Sequence, residues 1–325
     1  MSYQIKILLL SFGIGLIISL ITIPIIKQKK IGQNERDDGP KSHLRKQGTP
    51  TMGGIAMIIS LIIISGILYM DYSKTELQVA HSLISLVCVI LGFGLIGFID
   101  DFKKVVLHNT DGLKPSYKMF GLLIIAVAFV IFMLKYLNIG TDIYIPFSKV
   151  TVQLPIWFYI PFTILVILAT TNAVKLTDGI DGLGTSVTTI ILTCLTVIGV
   201  MFGVKEIVLL GSSLIGICLA FLLFNLHPAK IFMGDTGSLL LGGAVAIMAI
   251  YLKMPLLLLI IAIIPVLEAL SDIIQVLHYK RTGNRVFKMA PLHHHFELCG
   301  WNENKVVSVF SIVTLVACLI GLMAV

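Results

Sequence analysis

The sequence predicts an all-α, polytopic integral membrane protein, folded as a single transmembrane domain over residues 1–325. Of its 325 residues, 57% are hydrophobic and only 13% are charged, about half the charged fraction of an ordinary soluble domain. A transmembrane helix needs about 20 mainly apolar residues, and ten segments approach that length. They cover residues 5–26, 55–70, 80–99, 117–137, 156–173, 185–202, 207–224, 238–252, 255–279 and 304–325.

The distribution of Lys and Arg orients these ten predicted helices. Eighteen of the 24 Lys and Arg residues fall at the first, third, fifth, seventh and ninth connections. Cytoplasmic loops carry such an excess of positive charge, so we expect these connections to be cytoplasmic and both termini to lie outside. The net charge of +7 is then explained by membrane topology, and no nucleic-acid partner is expected.

One connection and one apolar segment carry further structural signals. Residues 143–147 and 150–154 alternate β-branched and other residues around a turn, which predicts a small external β-hairpin. The eighth apolar segment has 15 residues, or about 22 Å of helix, against a hydrocarbon core of about 30 Å. Its cytoplasmic end is expected to begin in a recess, unless a tilted neighbour or a misplaced boundary explains the short length.

Acidic residues collect on three of the predicted cytoplasmic connections. Asp100 and Asp101 close the third segment, Asp178 and Asp181 follow the fifth, and Asp235 precedes the eighth. Carboxylates at a membrane boundary are costly and usually mark function. Adjacent carboxylates repel one another, and a nearby cation such as Mg²⁺ relieves that repulsion. The pattern predicts that these loops converge, although a solvated helix end is the alternative for the Asp pair.

Two glycine-containing motifs suit a phosphate-bearing ligand. Residues 172–183 (NAVKLTDGIDGL) combine an amide, a Lys and two Asp with glycines that let backbone approach a ligand. Residues 232–238 (FMGDTGS) open the eighth segment, and the free N–H groups of a helix N-terminus attract anions. A turn with an Asp cap, and Ser238 as a plain N-cap, are the respective structural alternatives.

A histidine run and a pair of acidic residues lie near the end of the chain. His293, His294 and His295 are consecutive, so they cannot readily converge on one metal, and imidazoles bonded to phosphates fit better. Glu268 and Asp272 are four residues apart on one helical face, which indicates a buried polar network that is structural or supports the site.

These motifs, in this order, resemble the bacterial phospho-N-acetylmuramoyl-pentapeptide-transferases, or translocase I, of the polyprenyl-phosphate N-acetylhexosamine-1-phosphate transferase superfamily. The resemblance runs from Asp37 to Trp301. Residues 48–54 (GTPTMGG) and 289–297 (MAPLHHHFE) are the segments most specific to that family. The Asp pair and the segments 172–183 and 232–235 also occur across the wider superfamily.

The resemblance implies a Mg²⁺-dependent enzyme of the bacterial inner membrane with its active site facing the cytoplasm. Its reaction joins UDP-N-acetylmuramoyl-pentapeptide to undecaprenyl phosphate, a membrane lipid, and yields lipid I and UMP for peptidoglycan synthesis. By the same resemblance, Asp235 is the Mg²⁺ ligand, Asp100 and Asp101 are the catalytic pair, and His294 is a catalytic residue facing phosphate. Positions matching the family's substrate-binding residues are Asn172, Lys175, Asp178, Gly179, Ile180, Asp181, Phe232, Lys104, Asn109, Lys118, His293 and His295.

Two positions depart from the family pattern, and several alternatives stay open. Lys175 stands where the family usually has Asn, and Asp272 stands where an apolar residue is more usual. One alternative function uses UDP-N-acetylglucosamine as donor, against which residues 291–297 argue. A transporter is the other, although the polar residues gather on one face instead of forming repeated halves. Direct attack by the lipid phosphate is favoured over a phospho-enzyme. The sequence leaves the base of the Asp pair and a homodimer undecided.

Overall fold

The computed structural model describes residues 2–28, 48–105, 107, 112–137 and 139–325, and within them the chain is a bundle of helices with one small sheet. A 3₁₀ turn, Pro255–Leu257, precedes the ninth helix. The elements are α1 Ser2–Gln28, α2 Gly54–Tyr72, α3 Leu77–Val105, α4 Pro115–Lys135, β1 Asp142–Ile145, β2 Val150–Gln153, α5 Ile156–Thr177, α6 Leu183–Met201, α7 Lys205–Asn225, α8 Gly234–Tyr251, α9 Leu258–Ile261, α10 Ile263–Thr282, α11 Leu292–Leu298 and α12 Glu303–Met323.

Nine helices of the described residues are long and apolar enough to cross a membrane, or ten if one bent pair counts as a single span. The predicted all-α membrane fold is therefore confirmed. The bent pair corrects the predicted ninth segment, because Pro255–Ile261 and Ile263–Thr282 meet at 85°. Pro265 lacks the N–H that would bond to the carbonyl of Ile261, four residues earlier, and proline rings clash with that carbonyl.

Helix α8 is the central element of the bundle. It packs against α2, α3, α5 and α6, and nearly all its residues after the first turn are buried. Outer helices expose apolar side chains instead, including Leu9 on α1, Phe120 on α4 and Met323 on α12. An apolar outer surface of this kind suits a lipid environment, because contact between apolar side chains and acyl chains carries no penalty.

The β-hairpin and both chain ends lie at the same end of the bundle. Strands β1 and β2 pair antiparallel, as predicted. The Tyr144 hydroxyl in β1 donates to the carbonyl of Val325 over 3.0 Å. At the other terminus, the Tyr3 hydroxyl donates to Asp71 Oδ2 over 2.8 Å near the end of α2. The start of α2 is bonded to the start of α8 (Gly54 amide to Met233 carbonyl, 2.9 Å), whereas the hairpin is bonded to the residues that follow α8 (Tyr144 amide to Lys253 carbonyl, 2.8 Å). The end of α2, and Tyr3 with it, therefore lies on the hairpin side, as predicted for a common side of the two termini.

The beginning of α8 differs from the sequence prediction. The helix starts at Gly234, four residues before the predicted boundary, so Asp235 belongs to its first turn and does not precede it. Its 18 residues span about 27 Å, which removes the length argument for a recess. Apolar runs alone could not reveal this start, because the first turn consists of Gly, Asp and Thr.

Two glycines bring the first turn of α8 into backbone contact with its neighbours. A Cβ at Gly97 of α3 would overlap the carbonyl oxygen of Asp235, and a Cβ at Gly54 of α2 would overlap the amide nitrogen of Gly237. In both cases the obstacle is backbone, which cannot move aside as a flexible side chain can. The first turn of α8 is thus held between α2 and α3.

Gly97→Ala is expected to destabilise the protein. Overpacking a tight contact costs about 1–3 kcal/mol, and here the helix α8 itself would have to shift. The matched control is Gly66→Ala on α2, where an added Cβ meets nothing within 4 Å. Thermal unfolding in detergent should give a lower Tm for Gly97→Ala alone. Equal Tm values for the two variants would contradict this packing account.

Candidate active site

Three carboxylates converge where the end of α3 meets the start of α8. Asp100 and Asp101 are only 2% and 5% exposed, on the last turns of α3, and Asp235 lies on the first turn of α8. One oxygen from each of the three carboxylates lies within 4.8 Å of the others. The structure therefore brings together the Asp pair and the distant Asp235.

Asp101 fastens the start of α8 to α3. Its Oδ1 accepts a hydrogen bond from the amide of Asp235 over 3.1 Å. Its Oδ2 accepts from the amide of Thr236 over 2.8 Å and from the Thr236 hydroxyl over 2.6 Å. The first N–H groups of a helix have no partner within the helix, and a negative charge there is favourable. Asp101 thus completes α8 and sets the position of Asp235.

Three lysines from three helices meet at Asp235. Its Oδ2 lies 3.4 Å from Lys104 Nζ and 3.2 Å from Lys175 Nζ, and Lys118 Nζ is in closer contact. Lys104 belongs to α3, Lys118 to α4 and Lys175 to α5. Three transmembrane helices thus each place one lysine ammonium group at Asp235.

Asp100 shares two of these lysines. Its Oδ2 lies 2.7 Å from Lys104 Nζ and 3.2 Å from Lys118 Nζ, and its Oδ1 accepts from the amide of Leu113 over 2.7 Å. Three ammonium groups accordingly face three carboxylates. This balance explains how the carboxylates tolerate burial, because an unpaired buried charge is costly.

The donor set of this cluster fits a hard divalent cation. Asp100, Asp101 and Asp235 offer carboxylate oxygens only, the ligand type that Mg²⁺ prefers. The oxygens of Asp101 already accept three hydrogen bonds, which leaves Asp235 and Asp100 as the better ligands. Asp100 and Asp235 pair with lysine ammonium groups, which a bound metal ion would have to displace.

Asp178 and Asn172, both predicted site residues, lie on or beside the end of α5. The pKa of Asp178 is raised well above its ordinary value, chiefly because the carboxyl is withdrawn from water and further because Asp235 and Asp101 are negatively charged. Asn172 donates from Nδ2 to the carbonyl of Leu168 over 2.8 Å, within its own helix. The Asp178 carboxyl therefore interacts electrostatically with the cluster. The Asn172 amide is instead bonded to the backbone of its own helix, α5.

The turn after α5 packs under the histidine helix α11. A Cβ at Gly179 would overlap His293 Nε2, so the missing side chain makes room for the imidazole. His293 is 1% exposed, and its Nδ1 lies 3.2 Å from Oε2 of the fully buried Glu268 on α10. The His293 amide also donates to Glu268 Oε1 over 3.2 Å. Glu268 thereby anchors α11 over the turn.

The other two histidines have different neighbours. His294 Nδ1 lies 2.9 Å from Glu297 Oε2, and His295 Nδ1 accepts from the amide of Lys288 over 3.1 Å. The ring centroids of His293 and His294 are 4.1 Å apart. Among the described residues the three imidazoles are not part of a common metal-ligand group.

Asp181 belongs to a second cluster. Its Oδ2 lies 2.9 Å from His227 Nδ1 and accepts from the amide of Ala229 over 3.1 Å. Glu303, at the start of α12, places Oε2 3.6 Å from the same His227 nitrogen. The Asp181 carboxylate therefore holds the connection between α7 and α8, and its neighbour Ile180 is buried in the core.

The segment before Asp235 is held on both sides. Phe232 donates its amide to the carbonyl of Pro50 over 2.8 Å and accepts from the amide of Gly53 over 2.9 Å. Asn225 donates from Nδ2 to the carbonyl of Ile231 over 3.0 Å and accepts from the Thr185 hydroxyl over 2.9 Å. The GTPTMGG segment and the FMGD segment are thus one structural unit.

Comparisons with known proteins agree with this architecture. Residues 83–253 match the model of Glycosyl transferase family 4. The Phospho-N-acetylmuramoyl-pentapeptide-transferase of Clostridium botulinum (strain Eklund 17B / Type B) is 50% identical, covering 98% of this chain and 95% of its own. The same-named protein of Acetivibrio thermocellus is 49% identical over 99% and 96%, and that of Clostridium perfringens (strain 13 / Type A) is 46% identical over 97% and 96%.

The chain belongs to the phospho-N-acetylmuramoyl-pentapeptide-transferase family. The resemblance seen in the motifs is thereby confirmed. The matched family model spans α3 to α8 and so includes the carboxylates and the three lysines. The histidine helix lies beyond that model, within the near full-length alignment to the phospho-N-acetylmuramoyl-pentapeptide-transferases.

Four residues that contact the predicted site residues or their surrounding segments were not predicted from the sequence. One predicted residue lies outside the described part of the chain. Thr236, Asn225, His227 and Glu303 all bond to predicted residues or their segment. A polar residue at the end of an apolar run, such as Asn225, was the available signal. Asn109 lies outside the described residues, as does most of the basic first connection.

The raised pKa of Asp178 predicts a pH-dependent stability. The folded protein keeps this proton up to a higher pH than the unfolded chain does. In the unfolded chain the pKa of an Asp is about 4. The resulting stabilisation is complete below that value and is lost as the pH rises through the raised folded-state pKa. In metal-free buffer, the Tm of the unmodified protein should therefore fall relative to Asp178→Asn as the pH increases above about 4. A Tm difference that does not vary with pH would contradict this.

Proposed function

We propose that this protein transfers phospho-N-acetylmuramoyl-pentapeptide from its UDP derivative to undecaprenyl phosphate, which gives lipid I and UMP. The observation that carries the proposal is the balanced cluster of three carboxylates and three lysines at one end of a transmembrane bundle. The names of relatives that are about half identical over nearly the whole chain support it.

The proposed location is the inner membrane of a bacterium, with the site on the cytoplasmic face. The cluster lies at the end of the bundle opposite the hairpin and both termini. The connections at that end carry most of the Lys and Arg residues in the described part of the chain, and such an excess is typical of cytoplasmic loops. A soluble nucleotide donor and a membrane-embedded acceptor lipid could both reach it there.

Mg²⁺ is the proposed cofactor, held by Asp235 with Asp100 beside it. When bound, it would neutralise negative charge on the diphosphate of the donor. The chain itself contributes positive charge from Lys104, Lys118 and Lys175, which offsets the repulsion between the two phosphate-bearing substrates. The N-terminal end of α8 adds the positive end of its helix dipole.

We propose different tasks for the two adjacent aspartates. Asp101 is proposed as a positioning residue, because both its oxygens hold the first turn of α8. Asp100, whose Oδ2 faces the lysines, is the proposed base. It would take the proton of the lipid phosphate as an oxygen of that phosphate attacks the sugar-bearing phosphorus. The bond from that phosphorus to the oxygen of UMP then breaks.

The remaining family positions are proposed to bind the donor. Glu297 orients the ring of His294 through Nδ1, and we assign His294 to the phosphates. Phe232 and the turn of Gly179, Ile180 and Asp181 are assigned to the uridine end. The other proposed contacts, taken from the family pattern, are Asn172, Asp178, Asn109, His293 and His295.

Donor choice is the first test of this function. Purified protein with Mg²⁺ and undecaprenyl phosphate is expected to release UMP from UDP-N-acetylmuramoyl-pentapeptide and to move its radiolabelled sugar into an organic-extractable product. UDP-N-acetylglucosamine is expected to give neither signal. If the latter nucleotide is the one consumed, the protein is a GlcNAc-1-phosphate transferase. UMP release without any vesicle gradient would also separate an enzyme from a transporter.

Asp235→Asn is expected to lower kcat at least about a hundredfold, the loss typical of removing a group that acts directly in catalysis. The matched control is Asp142→Asn in β1, whose carboxylate pairs with Lys253 at 2.9 Å at the opposite end of α8. Initial rates of UMP release across a Mg²⁺ titration measure both variants. Normal turnover by Asp235→Asn would refute its assignment as metal ligand.

A further inference from the structure

We propose that Lys175 is an exchangeable counter-ion of Asp235. Its ammonium group would neutralise Asp235 while the metal is absent and move onto the donor diphosphate when metal and donor bind. Lys175 would thereby couple the binding of the metal to the binding of the donor. The inference rests on the proposed function for the identity of the diphosphate, whereas its effect on metal binding alone does not need a reaction.

The first argument is the different number of contacts that the three lysines make. Lys104 and Lys118 each contact both Asp100 and Asp235 through their ammonium groups. Within the described part of the chain, Lys175 has one ion pair, to Asp235 Oδ2 at 3.2 Å. Releasing Lys175 therefore breaks a single ion pair, while releasing either of the others breaks two.

The second argument is accessibility. The Lys175 side chain is 31% exposed and that of Lys104 is 37% exposed, against 10% for Lys118. A lysine ammonium sits on a flexible four-carbon stem, so a partly exposed lysine can turn toward an arriving ligand without disturbing the packing of α5. Lys118 on α4 is confined by comparison. Lys104 is also exposed but pairs with two carboxylates, so Lys175, which is partly exposed and pairs with one, is the most easily displaced of the three lysines.

The third argument is the charge of the cluster. Three ammonium groups already balance Asp100, Asp101 and Asp235. A divalent cation arriving alone would add two positive charges beside three others at short range in a poorly solvated site, which is unfavourable. A cation accompanied by a diphosphate adds little net charge and gives Lys175 a new anionic partner. Lys175 therefore opposes the metal alone and favours the metal together with a diphosphate.

Coupling of this kind is reciprocal: the diphosphate changes the affinity for the metal by the same factor as the metal changes the affinity for the diphosphate. The coupling can therefore be measured as a change in metal affinity. Lys175 supplies one of the three positive charges at Asp235. A neutral residue there leaves Asp235 with only Lys104 and Lys118. Metal binding without donor should then become tighter, and the additional effect of a diphosphate should become smaller.

The test measures Mn²⁺ binding to the purified full-length protein by the paramagnetic resonance signal of free Mn²⁺, with and without UDP as the diphosphate probe. Binding of Mn²⁺ to UDP in solution is subtracted. In the unmodified protein, UDP is expected to tighten Mn²⁺ binding at least about fivefold, the lower end of typical coupling. Lys175→Met should bind Mn²⁺ alone at least about fivefold more tightly, with a smaller effect of UDP.

Two further variants separate charge from other effects of substitution. Lys175→Arg keeps the positive charge and should resemble the unmodified protein in both Mn²⁺ measurements. Lys280→Met removes an exposed lysine at the end of α10 that is not among the lysines paired with Asp235 in the described residues, and should change neither. Thermal unfolding of each variant, measured without metal, shows that the compared proteins are folded.

The inference is overturned if Lys175→Met leaves the affinity for Mn²⁺ alone unchanged, or if Lys175→Arg behaves as Lys175→Met does. These outcomes are distinguishable from failure of the proposed function. A protein that forms lipid I but shows no effect of Lys175→Met refutes the counter-ion alone. A protein that neither binds Mn²⁺ nor consumes the muramoyl nucleotide refutes both.

Discussion

The hydrogen bonds from the first turn of α8 to the carboxylate of Asp101 are the interaction on which the site depends. The turn is buried between α2 and α3, so its free N–H groups need acceptors. Asp101 supplies them from α3. Because the same turn carries Asp235, the bonds that complete the helix also place the Asp235 carboxylate beside Asp100 and Asp101. Stability and active-site geometry therefore arise from one set of contacts.

Burying three carboxylates at the edge of a bilayer imposes a second constraint. Such charges are costly unless they are paired, and the chain meets this need with lysines from α3, α4 and α5. The lysines thus have a structural task before any substrate arrives. They also create a site that attracts phosphate, since an ammonium group can exchange a carboxylate for a phosphoryl oxygen. Under the proposed function, the charge balance that permits burial of the carboxylates is also the one that phosphoryl transfer would use.

Much of the fold could be predicted from apolar run lengths and from the placement of Lys and Arg, because a bilayer constrains both directly. The convergence of Asp100 with Asp235 could also be predicted, since both lie on connections of one side. The break before Ile263 was missed because run length ignores Pro265, although the proline was visible. The Glu268–His293 pair and the Asp181–His227–Glu303 cluster join residues far apart in sequence, and no local pattern indicates such partners.

The described contacts divide the site into a fixed frame and a more mobile charge. Asn225 and Pro50 hold the segment that leads into Asp235, and Asp101 holds the turn that carries it. Preorganised carboxylates of this kind need no rearrangement as charge develops in the transition state. Charge must nevertheless be redistributed when a metal and a diphosphate enter, and a rigid frame cannot do this. Lys175, singly paired and partly exposed, is the side chain whose movement costs the fewest contacts.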